Sequence, residues 1–176
     1  ATDHGISIYD AEKDTFPGEL TMTEGLPDNI VKDMTLKNNI LWIAMEDKGL
    51  CNYDLKKQKF SYFSNWEFGS INNLIYLSEN EIWVSTKRNG VVKCIIKKNG
   101  NVQYYNYGET LGLSDKSTNT IYLDREKNIW VGTASGISIR KNNHFQFLNE
   151  KDGFDITHIS NFLVDNQGNY WIASQK

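Results

Sequence analysis

The sequence predicts an all-β fold: a β-propeller built of four-stranded antiparallel blades, with about four blades' worth of chain cut mid-blade at both ends. Three observations predict it. Four of the five Trp residues (Trp42, Trp83, Trp130 and Trp171) stand 41, 47 and 41 residues apart, in "WIAM", "WVST", "WVGT" and "WIAS". Six or seven positions past each of the first three Trp residues comes a Gly: Gly49, Gly90 and Gly136. The chain is 12% aromatic, with nine Tyr among its 176 residues, and no segment carries a helical period, so the repeating unit is made of strands. A period of 40 to 47 residues with four strands in it is the mark of a propeller blade, whereas a sandwich shows strands without the long period.

Each unit divides the same way. The first strand reads "NIVKDMTL", "INNLIYL", "NTIYLD" and "ISNFLVD". A tight turn follows, and three positions before each Trp stand Asn39, Asn80, Lys127 and Gly168, mostly residue types that tolerate the positive φ of a short hairpin. The Trp strand is second. The Gly then opens a turn into the third strand, "GISIYD", "GLCNYD", "GVVKCII" and "GISIRK", and the fourth strand carries aromatics around Phe16, Phe60, Tyr104 and Phe145. Longer connections such as "TEGLPDN" and "SNWEFGSIN" lead to the next unit. Ala1 and Ala173 share a phase 172 residues apart, four periods of 43. The expected division is a partial blade over 1–22, blades over 23–63, 64–107 and 108–148, and a partial blade over 149–176.

Composition narrows the function classes. A net charge of −3 with scattered Lys gives no basic footprint, so no nucleic-acid partner is expected. No apolar run reaches the roughly 18 residues of a membrane span, and no signal peptide is expected ahead of the strand sequence at Ala1. Two cysteines, Cys51 and Cys94, are too few for a disulfide framework and fall in third strands as small buried residues. With no CxxC or paired His spacing, no metal site and no cofactor is expected.

The segments "YLDREKNIWVGTASGISI" and "FLVDNQGNYWIASQK" resemble the two-component regulator propeller repeat, and "EGLPDN" resembles that family's usual approach to a blade. The resemblance runs the length of the chain. It implies an extracytoplasmic ligand-sensing domain, periplasmic or at the cell surface, of a membrane-anchored sensor histidine kinase, often one that responds to oligosaccharides. "MEDKGLCNYD" lacks the usual Gly-Thr, and "NWEFGS" replaces "GLP". WD-type repeats are set aside because their Trp-Asp dipeptide is absent.

The phase of the repeat assigns Trp42, Trp83, Trp130 and Trp171 to packing between blades. Trp66 is read as outside the phase, a connection residue whose loss should cost little stability. Antiparallel strands put the second-to-third turns and the fourth-to-first connections on one face. That face gathers the candidate ligand-binding residues: Asp3 and His4, Glu46 and Asp47, Trp66 and Glu67, and Lys87, Arg88 and Asn89, with Ser135 nearby. An aromatic plate beside mixed donors and acceptors suits an oligosaccharide or another small molecule. The rival reading is a protein-interaction propeller without a small ligand.

Catalysis is not expected. "NQGNYW" is close to an Asp-box turn, but sialidase chemistry needs converging Arg residues, and Arg125 falls on the opposite face from Arg88. A lyase-type propeller needs a metal and a central His, and of His4, His144 and His158 only His158 could approach the centre. No Ser-His-Asp order or Gly-rich phosphate loop is legible. Two half-blades with complementary free edges further predict a homodimer closed by strand exchange.

Overall fold

The alternation of short β-rich runs with Gly-marked turns folds into sheet throughout. The structure is a computed structural model that describes residues 3–148 and 150–175. Its strands are β1 (Ile6–Asp10), β2 (Thr15–Leu20), β3 (Val31–Lys37), β4 (Ile40–Met45), β5 (Leu50–Asp54), β6 (Lys59–Tyr62), β7 (Ile71–Ser78) and β8 (Glu81–Thr86). There follow β9 (Val91–Ile96), β10 (Val102–Tyr107), β11 (Thr118–Leu123), β12 (Ile129–Thr133), β13 (Gly136–Lys141), β14 (His144–Leu148), β15 (Thr157–Val164) and β16 (Tyr170–Gln175). Single 3₁₀ turns at Glu109–Leu111 and Glu150–Asp152 lie in the connections.

The strands form three four-stranded antiparallel sheets, β3 to β6, β7 to β10 and β11 to β14, each meandering in chain order. A two-stranded sheet stands at either end, β1–β2 and β15–β16. In each full sheet the Trp strand pairs its Trp with the residue three past the Gly: Trp42 with Asn52, Trp83 with Lys93, Trp130 with Ile139. Register is thus fixed by the turn glycine, not by the variable loops.

Two-faced apolar strands dictate where the core sits. Each four-stranded sheet buries apolar side chains on both faces, and the cores lie between successive sheets. Ile6 and Leu20 of the first sheet pack with Ile43, Met45 and Cys51 of the second. Trp42 and Leu50 then meet Ile71, Leu74 and Val92 of the third. Trp83 and Val91 meet Ile121, Ile129 and Val131 of the fourth, and Ile137 and Ile139 meet Ile159 and Phe162 of the last. Trp42, Trp83 and Trp130 therefore face the sheet that follows each of them.

That direction explains which Trp residues are buried. Trp42 and Trp83 are 4% and 0% exposed. Trp130 is half-buried, stacked on Tyr170 with centroids 4.3 Å apart. Trp171, expected in a packed core, is 61% exposed because no described sheet follows β16. Both cysteines are free and buried in third strands, and burial pushes each thiol up to about 12.

The first strands β3, β7, β11 and β15 stand side by side along the inner edge of the fan, tied by side chains reaching from sheet to sheet. Asn72 Nδ2 donates to the Thr118 carbonyl at 2.8 Å and Asn119 Nδ2 to that of Ile159 at 3.0 Å. The Asp33 carboxylate accepts from Leu74 N–H at 2.8 Å and from Asn73 Nδ2. Asn73 Oδ1 in turn accepts from Ile121 N–H at 3.0 Å. Burial holds the Asp33 carboxyl above the usual aspartate value despite these donors. No helix among the described residues is long and apolar enough to cross a membrane.

Candidate functional site

The turns between second and third strands lie on the same side as the connections that begin each sheet, and backbone hydrogen bonds join them. Glu46 N–H donates to the Ile30 carbonyl, Lys87 N–H to that of Ser70 and Ala134 N–H to that of Ser117, at 2.9 to 3.0 Å. Asn89 Nδ2 adds a bond to the Phe68 carbonyl at 2.9 Å, and Gly90 N–H ties its sheet to the next by donating to the Lys116 carbonyl at 2.7 Å.

Between two such turns the fan opens a cleft of about 280 Å³, lined by Glu46, Asp47, Phe68, Gly69, Ser70, Lys87, Arg88 and Asn89. The structure thus brings together five of the expected residues: Glu46, Asp47, Lys87, Arg88 and Asn89. The Glu46 carboxylate is partnered by Lys32 Nζ at 3.7 Å, and Asp47 N–H is held by the Asp28 carboxylate at 3.2 Å. Lys87 and Arg88 are exposed at the rim. The Ser70 hydroxyl is buried without a hydrogen-bond partner among the described residues. The cleft therefore offers two cations, two carboxylates, an amide and a hydroxyl beside the ring of Phe68. Phe68 and Ser70 were not singled out by the sequence, although they belong to the same connection as Trp66.

The other expected residues lie elsewhere. Glu67 is exposed outside the cleft lining, and Asp3 and His4 pair with each other at 2.8 Å beside the first sheet. Ser135 donates its hydroxyl to Asp115 at 2.8 Å. His158 is exposed at a positive φ in β15, where it donates its backbone N–H to the Ala134 carbonyl. Arg125 lies in the β11–β12 turn, beside Asp124, Glu126 and Tyr170. No group of three or more His, Cys, Asp or Glu among the described residues is placed to hold a metal ion.

Trp66 requires a correction. It is not a free plate but an in-phase packing residue. Leu26, Trp66, Leu113 and Phe154 each stand five positions before the start of an inner strand's buried run, at Val31, Ile71, Thr118 and Ile159. The residue before each has a positive φ: Gly25 at 103°, Asn65 at 65°, Gly112 at 92° and Gly153 at 84°. Trp66 is half-buried, edge-on to Phe68 and Tyr104 at 5.1 and 5.6 Å, with Nε1–H donating to the Gly69 carbonyl at 2.7 Å. Its ring sits directly over Gly49, where a Cβ would lie 2.3 Å from Trp66 Cγ. Leu113 covers Gly90 in the same way, 3.1 Å from the corresponding point. Gly49 and Gly90 are thus both the φ-positive residues of their turns and the seats for the next sheet's plug.

On the opposite side, an Asp orders the turn that presents two of the Trp residues. Asp124 accepts from Asn128 N–H at 2.7 Å and from Trp130 Nε1–H at 3.0 Å, and the Tyr170 hydroxyl adds a bond from the next sheet at 3.2 Å. Partial burial works against ionisation, yet these donors bring its carboxyl below the usual range. Asp165 holds Asn169 and Trp171 likewise, which takes its carboxyl down to about 2. At the same position the other two full sheets carry Leu36 and Leu77.

Sheets that meander from an inner to an outer edge and bury their cores between one another define an arc of a β-propeller. Residues 112–135, spanning the connection into β11 through the Trp strand, match the family model of the two component regulator propeller, so the chain carries that repeat. The chain is similar in fold to the extracellular domain of BT4673 from B. thetaiotaomicron, named as a one-component system, with a TM-score of 0.75 and 19% identity. That match covers 98% of this chain and 26% of the other. The extracellular domain of the hybrid two-component system BT3049 from the same organism matches at a TM-score of 0.67 and 20% identity, over 85% of this chain and 22% of the other. The Swd1 β-propeller domain of Myceliophteria thermophila matches at 0.72 and 13%, over 99% of this chain and 57% of the other. The chain spans about a quarter of the length of these two extracellular domains. No curated protein matches it in sequence.

Proposed function

We propose that this chain is a ligand-sensing arc of an extracytoplasmic propeller in a membrane-anchored sensor kinase, and that the cleft between the Glu46–Asp47 and Lys87–Asn89 turns takes an oligosaccharide. The observation that carries the reading is the composition of that cleft. Donors and acceptors of both charges converge within reach of one molecule, on the side of the fan where turns from different sheets meet. A polyhydroxylated ligand needs many paired donors and acceptors, because a polar site binds well only when its groups are satisfied. The family match and the likeness to extracellular domains of one- and two-component systems support the placement outside the cytoplasm.

The test is a screen of neutral and acidic oligosaccharides by isothermal titration, repeated with Arg88→Ala and Asn89→Ala. Binding that weakens about tenfold or more in either variant, the loss expected for one charge-assisted hydrogen bond, supports the reading. Saccharide binding unaffected by both variants would move the site, and no saccharide binding at all would remove the carbohydrate assignment.

A further inference from the structure

The links that carry the chain from one sheet to the next differ in length at one joint. In three of them five residues lie between the last strand residue and the plug (21–25, 108–112 and 149–153), but only three (63–65) lie between β6 and Trp66. The longer links close a turn in that space. Leu26 N–H donates to the Thr21 carbonyl at 2.9 Å, and Glu109–Leu111 and Glu150–Asp152 are the 3₁₀ turns. The first two of these links rest on the fourth strand of the next sheet. A Cβ at Gly25 would stand 3.4 Å from the Phe60 ring, and one at Gly112 would stand 2.6 Å from the Phe145 carbonyl oxygen. Phe60, Tyr104 and Phe145 are equivalent, each paired with the residue one past the Trp's partner. At Tyr104 the short link brings up only the Ser64 carbonyl, which accepts from the Tyr104 hydroxyl at 3.3 Å.

Where the other links place a turn, this joint leaves a pocket of about 370 Å³, between residues 62–65 and the β9–β10 turn at 100–102. Its walls are held from behind. Phe63 stacks on Trp42 with centroids 5.6 Å apart, and the Tyr62 hydroxyl donates to the Gly25 carbonyl at 2.8 Å. The facing turn is closed by Lys97 N–H on the Asn101 carbonyl at 2.7 Å and Gly100 N–H on the Lys97 carbonyl at 2.9 Å. No charged side chain lines the pocket. The carboxamides of Asn65 and Asn101 and the Ser64 hydroxyl make no hydrogen bond to other described residues. Gly100 leaves the mouth open, since a Cβ there would meet nothing within 4 Å.

We propose that this notch binds one neutral sugar ring, at a site separate from the charged cleft. A pyranose presents an apolar C–H face that packs on an aromatic ring, and Tyr62, 60% exposed, and Phe63 offer such rings. Its neighbouring hydroxyls each donate and accept, and a carboxamide does both at once, so Asn65 and Asn101 can each pair with two of them. An ionic ligand would give up water here with no counter-charge in return. The volume is that of a small-molecule site.

Two-dimensional proton–nitrogen spectra of the chain test this, with methyl pyranosides of glucose, galactose and mannose added to about 50 mM, because so small a molecule binds in the millimolar range. Saturable shifts of the Asn65 and Asn101 side-chain amides are expected with at least one of the three. Asn101→Ala should weaken that binding about fivefold or more, the loss of one hydrogen bond, while the rest of the spectrum is retained. Asn65→Gly, which accepts the φ of 65°, should do the same. No shift with any pyranoside, or a midpoint unchanged in either variant, overturns the proposal. Shifts confined to residues 87–89 put the sugar in the charged cleft, which overturns the notch and leaves the cleft reading standing. Shifts given by acetyl-Gly-Ser-Gly-amide and by no pyranoside make the notch a peptide site and overturn the sugar assignment.

Discussion

Replacing Trp66 separates a packing residue from a ligand plate. The indole fills the joint between the β3–β6 and β7–β10 sheets, over Gly49 and against Phe68 and Tyr104. A half-buried indole removes about 150 Å² from water, worth roughly 3–4 kcal/mol at about 25 cal/mol per Å². The Nε1–H bond adds little, because the exposed Gly69 carbonyl regains water when the ring is cut away. Trp66→Ala should therefore cost about 3 kcal/mol in urea unfolding, a drop of about 10 °C in Tm for a chain of this size. Trp66→Leu should recover most of that loss, since Leu26 and Leu113 do the same work at the equivalent positions. If Trp66→Ala stays within about 0.5 kcal/mol of the parent, the scatter of an ordinary surface change, the plug argument fails.

Gly49→Ala should destabilise by about 2 kcal/mol or more in the same assay, because the new methyl meets the indole at a φ of +72°. In a Gly49→Ala/Trp66→Leu double variant, part of that loss should disappear. Trp83→Ala should cost about 3–5 kcal/mol, the cost of emptying a fully buried large aromatic site. Acid titration should show the Asp165 turn opening. Its carboxyl is ionised down to about 2 in the fold against an ordinary 3.8, so its contribution is complete above about pH 4 and is lost as pH falls toward 2. Trp171 fluorescence, compared in parent and Asp165→Asn, reads this, and an identical acid transition in both would refute it. Cys51 and Cys94, buried with thiols pushed up to about 12, should resist a thiol reagent at neutral pH and both react in denaturant. Labelling of the native chain at either site would contradict their burial.

The fold was legible because the Trp and Gly markers repeat at one phase, and a repeat long enough for four strands admits few other architectures. Which Trp residues end up buried was less legible. Phase identifies the position, but burial depends on a sheet standing after it, which Trp171 lacks among the described residues. The cleft was half legible: the turns at Glu46 and Lys87 follow from strand direction alone, while Phe68 and Ser70 enter it through a connection whose path no period fixes. Trp66 was misread for a definite reason. Its connection has Asn65 where the others have Gly25, Gly112 and Gly153, and an indole where two of them have Leu. Only the shared left-handed backbone and the common five-residue offset reveal the equivalence.

Because the hydrophobic cores among the described residues lie between two sheets, no single blade is a folding unit. Each four-stranded sheet is half of two different cores, so stability accumulates by adjacency. Damage at Trp83 loosens the third sheet from the fourth while leaving the packing of Ile43 and Met45 on Ile6 untouched. Amide exchange should accordingly be slowest in β7 to β10, which have full sheets on both sides, and fastest in the two terminal hairpins. The same arithmetic makes the unit of inheritance one period long, wherever it is cut. A duplicated stretch of about 43 residues carries one complementary face for each neighbour, so arcs can lengthen by whole blades without redesigning any joint.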